Sequence, residues 1–401
     1  MPSNSPTKRL ASPLTFDDLV ADLVWPKLLR AGSLATRPAR LGLALVYLMG
    51  VVLFYSLAAR VEGFGDVTGF AANKLGAFGK SLNSGEFKSI GSALYDLTVV
   101  APAYALKHRP MVSIVFFGVF VVWTALFGGA ISRTCATEFA SGVTTSWPQA
   151  LAFAVSRWKS LVFALLIPLL IIWTIALGLA AAGWLLFSFK GLNVVGGLLY
   201  ILFILAGFVA SIITIAFALG HQMLVPSVTC EGTDAIDAVQ HAYSFVFARP
   251  LRLILYIWLN TVLLVLATFA VGLVIWIALH FAEGSATVFS GDGGGRVLSA
   301  VPSLLDKPDA NANREALSGA DYAAAATSTF WAVIPIGLFF AYIVSFYWCS
   351  STILYLIMRR IVDGQDLSEI WMPTLIGGTL APVTPAPTGG AVADDGPADE
   401  T

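Results

Sequence analysis

Six stretches of this chain, residues 41–60, 110–132, 160–188, 194–220, 253–281 and 329–358, are long and apolar. Each matches or exceeds the ~20 residues needed to cross ~30 Å of hydrocarbon. Inside a bilayer no water is present to satisfy backbone N–H and C=O groups, so such stretches fold as helices that satisfy their own. One fold class follows: an all-α polytopic transmembrane helical bundle of about six spans. With 57% hydrophobic residues, 12% charged residues and a mean hydropathy of +0.81, the chain is too apolar for a soluble protein of 401 residues. A formal net charge of -1, with no basic motif, excludes a nucleic-acid partner.

The third, fifth and sixth stretches approach 30 residues, so they are expected to tilt or to continue past the lipid. Pro168 and Pro335 are expected to kink two of them. FKGLN between the third and fourth leaves room only for a tight turn, making those spans an antiparallel hairpin. Gly178 with Ala182, and Gly207 with Ser211, put small residues four apart and allow close helix contact.

The segment His221–Arg252 interrupts the apolar pattern between the fourth and fifth spans. From Asp234, residues Ile236, Val239, Tyr243 and Val246 recur at helical spacing, flanked by Ala235, Ala238, Ala242 and Phe245. Asp237, Gln240, His241 and Ser244 take the opposite face. Asp234 suits the N-cap, and Pro250 ends the helix near Ala248. The pattern fits a helix lying in the headgroup layer and equally a loop helix packed on the bundle.

Basic residues punctuate three approaches to the membrane. An amphipathic stretch, residues 15–40, closes on Arg37-Pro38-Ala39-Arg40, and Arg249-Pro250-Leu251-Arg252 repeats that punctuation. A looser copy from Trp147 carries Arg157 and Lys159. Basic side chains at span ends reach lipid phosphates, so Arg37, Arg40, Arg157, Lys159, Arg249 and Arg252 are the candidate lipid-headgroup contacts. Residues 1–14 read as a disordered N-terminus, and the first 40 residues hold no signal-peptide apolar run. The membrane domain then covers 41–360. Residues 61–109 read as a short ordered external element, 284–328 as a flexible external loop and 361–401 as a mostly disordered tail. A small excess of Lys and Arg on the side of the termini places both in the cytoplasm, with amphipathic interfacial helices on that face.

Chemistry-bearing patterns are sparse. The span centres carry no Asp, Glu, Lys or Arg, which argues against a proton pump or a carrier of charged substrates. Asn260 is a candidate for a polar site near the midplane, although an asparagine bonded to a neighbouring helix explains it more simply. The four histidines occur singly and no metal-site spacing is present, so no metal or cofactor is expected. Gly-x-Ser-x-Gly is absent, and GDGGG lacks the rest of a phosphate loop or an EF-hand. Glu231, Asp234 and Asp237 form the densest acidic cluster, with His241 nearby; capping and helix-dipole stabilisation explain them more simply than acid/base chemistry. Cys135, Cys230 and Cys349 read as free thiols.

Residues 226–259, with Pro226, Glu231, Gly232, Ala238, Arg249 and Arg252, resemble a pattern in uncharacterised bacterial polytopic membrane proteins. These include relatives of the membrane domain attached to some glycerophosphodiester phosphodiesterases. STILYLIMRRIVDGQDLSEIW is similar to the closing segment of many such members. The resemblance implies an architecture, and no phosphodiesterase catalytic motif accompanies it. The expectation is a non-enzymatic membrane-organising or scaffold protein of a bacterial inner membrane, with membrane lipids as partners. A transporter or permease subunit for an apolar or lipid-like solute is the alternative, and a protein partner or homo-oligomer remains open.

Overall fold

The computed structural model describes residues 25–304 and 309–371. The expected disorder of residues 1–14 and of the tail beyond residue 371 lies outside the described residues. Those residues form helices and no strand. Six helices are long and apolar enough to cross a membrane: Pro38–Ala58, Pro110–Ser141, Trp158–Phe187, Tyr200–Glu231, Pro250–Thr287 and Gly319–Asp363. The protein is a multi-pass helical membrane protein. We number these spans one to six in chain order. Because successive spans cross in alternate directions, both described ends lie on one side, here the proximal side. The short helices Arg30–Ala35, Trp147–Ser156 and Ala235–Ala248 share that side.

Three spans run well beyond their apolar stretches at the proximal end. The second continues through Arg133 and Glu138 to Ser141, the fourth through Pro226 to Glu231, and the sixth to Asp363. At 45 residues the sixth is about 68 Å long, roughly twice the hydrocarbon thickness. The start of the polar interruption, His221–Glu231, is therefore not a loop but the last turns of the fourth span. Glycines set the stops: Gly142 and Gly232 adopt left-handed φ of 70° and 65°, and their N–H groups cap Glu138 O and Val228 O. Pro168 and Pro335 sit inside unbroken helices.

Burial is concentrated at the proximal end. Gly128–Phe139 of the second span, Met223–Cys230 of the fourth and Cys349–Arg359 of the sixth are buried around their full circumference. By contrast, residues 200–215 of the fourth span contain no buried side chain. Their outward Leu, Ile, Val and Phe side chains suit a hydrocarbon solvent, which exerts no hydrophobic drive to bring helices together.

The distal connections carry helices of their own, and for residues 61–109 the sequence points to an ordered element. Residues 64–108 form a helical hairpin, Phe64–Ser84 against Phe87–His108, closed by a Phe70–Tyr104 stack and a 2.7 Å Lys74–Asp96 ion pair. A π-helical turn at Asp96–Val100 brings Thr98 O to the indole N–H of Trp173 on the third span, 2.7 Å away. Within 284–328, expected as a flexible external loop, the described residues include the helices Gly291–Ser299 and Ala310–Glu315. Between the third and fourth spans, Gly191 makes the tight turn with φ of 94°.

Gly128 on the second span lies directly under the Trp348 ring of the sixth, with no space for a Cβ. Gly128→Ala should therefore separate these two helices and cost about 1–3 kcal/mol, measured as a lowered unfolding midpoint in detergent micelles.

Candidate functional site

The proximal core is tied together by charged groups that enter from helix ends. Pro38 occupies the first turn of span one, where its missing N–H costs nothing. Arg37 holds the N-cap position without a side-chain capping bond, and Arg40, one turn on, points inward. Arg40 is 1% exposed. Its Nη2 donates to Glu138 Oε2 at 2.6 Å and to Thr134 O at 2.7 Å; its Nε donates to Thr134 Oγ1 at 3.1 Å, and its Nη1 to Leu34 O at 2.5 Å. Arg37 Nε donates to the other carboxylate oxygen, Glu138 Oε1, at 2.9 Å, with its own side chain 59% exposed. The sequence expectation for Arg40 is thus corrected: its guanidinium holds the second span and is shielded from lipid.

A second knot joins the fourth and sixth spans. Glu231 accepts a hydrogen bond from the Tyr355 hydroxyl and lies 3.8 Å from Arg359 Nη1 and 3.5 Å from His241 Nε2. Arg359 in turn donates to the backbone carbonyls of Asp366 and Glu369, folding residues 364–371 back across the bundle end. Trp371 N–H donates to Cys230 O at 2.7 Å. Its ring lies against Gly232, beside the Arg157 guanidinium at 5.2 Å and Phe153 at 5.9 Å. Arg133 Nη1 donates to Thr229 O at 2.8 Å, with its guanidinium 4.7 Å from the Phe153 ring centre. Cys135, Cys230 and Cys349 are buried free thiols in the same core, and the Cys135 thiol points at Cys349 O.

The other sequence candidates separate. Arg157 is half-buried beside Trp371, whereas Lys159, Arg249 and Arg252 are exposed at the starts of the third and fifth spans. The 235–248 helix lays Ala238, Val239, Ala242, Phe245 and Val246 on the bundle, leaving Ile236 and Phe247 exposed. Asp234 takes the N-cap backbone conformation without a side-chain capping bond. Of the acidic cluster, only Glu231 and His241 converge, while Asp234 and Asp237 face outward. Asn260 is buried with an unpartnered Oδ1. It lines none of three lateral cavities, of about 340, 380 and 570 Å³. The largest lies between the 87–100 segment and spans three and four, where Gly207 and Ser211 contribute to its wall. Among the described residues no cluster of His, Cys, Asp and Glu has the makings of a metal site.

Sequence reasoning passed over Glu138, Arg133, Tyr355, Arg359 and Trp371. The available signal was a charged residue within a helix-compatible continuation of an apolar stretch, as at Arg133 and Glu138. Comparison of the chain with models of known protein families, with curated proteins and with solved structures found no match.

Glu138→Ala should leave Arg40 buried without its counter-charge and destabilise the protein by about 3–5 kcal/mol. Arg37→Gln should cost no more than about 1 kcal/mol, because that guanidinium is in water. Chemical unfolding in micelles separates the two. Outside the spans, burial raises the Tyr243 phenol above its ordinary value. The folded state therefore prefers the neutral phenol, and this contribution is complete below pH about 10 and lost as pH rises beyond it. Tyr243→Phe should flatten that alkaline loss of stability in a pH series of melting curves.

Proposed function

We propose that this protein is a non-enzymatic membrane-organising scaffold of a bacterial inner membrane, with its proximal face in the cytoplasm in contact with anionic lipid. The observation that carries the reading is the filled proximal end. Arg40–Glu138, Arg133–Thr229 and Glu231–Tyr355–Arg359 join spans one, two, four and six where a solute path would need to open. Lys159, Arg249 and Arg252 stand exposed around that filled end, at the starts of two spans. This is the depth at which guanidinium and ammonium groups meet lipid phosphates.

A second reading, passage or storage of a lipid-like solute, is favoured by the cavity of about 570 Å³ beside spans three and four. Its wall is mostly apolar, and Thr98, Ser211 and Thr214 turn their hydroxyls to carbonyls of their own helices.

Protein extracted with its surrounding lipid from mixed phosphatidylcholine and phosphatidylglycerol membranes should be enriched in phosphatidylglycerol. The combined Lys159→Gln, Arg249→Gln and Arg252→Gln variant should lose that enrichment, by up to about fivefold per charge removed. Equal lipid ratios for both proteins would reject the scaffold's lipid contact. Protein-dependent lipid exchange between vesicles, abolished by filling the cavity with Ser211→Phe, would favour the second reading instead.

A further inference from the structure

A cleft of about 220 Å³ on the proximal face, between the start of the described chain and the end of the sixth span, gathers three basic side chains. Lys27 comes from the 3₁₀ turn Trp25–Leu29, Arg30 opens the next helix, and Arg360 stands in the last turn of span six. Their convergence has local causes. Arg359 is drawn inward to Glu231, and successive residues on a helix point about 100° apart, so Arg360 faces outward. The Arg30 guanidinium lies 5.3 Å from the centre of the Phe139 ring, which holds it at the cleft wall. No ion pair joins Lys27, Arg30 or Arg360 to an acidic side chain among the described residues.

Among the described residues that line the cleft, the one carboxylate is Asp366. It accepts the Ser368 backbone N–H at 3.1 Å, and that bond, helped by the Arg360 charge, holds its carboxyl below the usual range. Among the described residues, three cations thus face one anion. Two guanidinium forks and an ammonium around a small cleft are the donor set that recognises a tetrahedral oxyanion.

We propose that Lys27, Arg30 and Arg360 form a discrete binding site for a phosphate group, carried on a lipid headgroup or free in solution. The site goes beyond the diffuse lipid contact of Lys159, Arg249 and Arg252. It is formed by other residues and is saturable.

The test uses the full-length protein in phosphatidylcholine nanodiscs, titrated with dioctanoyl phosphatidylglycerol and, separately, with inorganic phosphate. Saturable binding is expected, weakened about fivefold by each of Lys27→Gln, Arg30→Gln and Arg360→Gln. Asp366→Asn should tighten it by a similar factor, a gain that misfolding does not imitate. Tighter binding of the phosphatidylglycerol assigns the site to a headgroup, and equal affinity assigns it to free phosphate. Absence of saturable binding by either probe overturns the proposal. So does affinity unchanged in all four variants, with only a lowered melting midpoint, which would confine these cations to offsetting the C-terminal dipoles of spans two and six. The Lys159, Arg249 and Arg252 variant should retain the saturable site, so failure here and failure of the scaffold reading are distinguishable.

Discussion

The pair between Arg40 and Glu138 is the contact on which the arrangement of the proximal end depends. A guanidinium taken almost wholly out of water has a large desolvation cost, offset only when carboxylate and carbonyl oxygens surround it. Arg40 has that surround: Glu138, Thr134 O, Thr134 Oγ1 and Leu34 O occupy its three nitrogens. The first span is thereby fixed in depth and rotation against the second. The preceding helix is fixed as well, because Leu34 O is one of the acceptors and Ser345 Oγ on the sixth span donates to Ala35 O at 2.9 Å.

The two halves of the bundle answer to different solvents. Proximally, long helix extensions bury charged and polar groups among one another, and the helix end stopped at Gly232 leaves space for the Trp371 ring of the folded-back segment. Distally, apolar side chains face outward and the helices separate enough to leave lateral cavities. In water such surfaces would collapse. Against lipid chains nothing drives that collapse, so packing there relies on local devices such as the Trp173–Thr98 hydrogen bond.

This division explains which parts were legible in the sequence. The spans and the 235–248 helix follow from apolar length and periodicity, properties a residue carries regardless of its neighbours. The fate of the arginines does not. Arg37-Pro38-Ala39-Arg40 and Arg249-Pro250-Leu251-Arg252 are alike as strings, yet Arg40 is buried and Arg252 is exposed. Glu138 lies 98 residues from Arg40, and no local pattern links them. The same holds for Glu231 and Tyr355, 124 residues apart.

The sequence by itself determined an all-helical, membrane-crossing chain, because only helices satisfy backbone polar groups within continuous apolar stretches of such length. Tertiary structure alone decided which charges meet lipid and which lock the bundle. A charge's role is set by the oxygen atoms and dielectric around it, and those are supplied by segments about a hundred residues away.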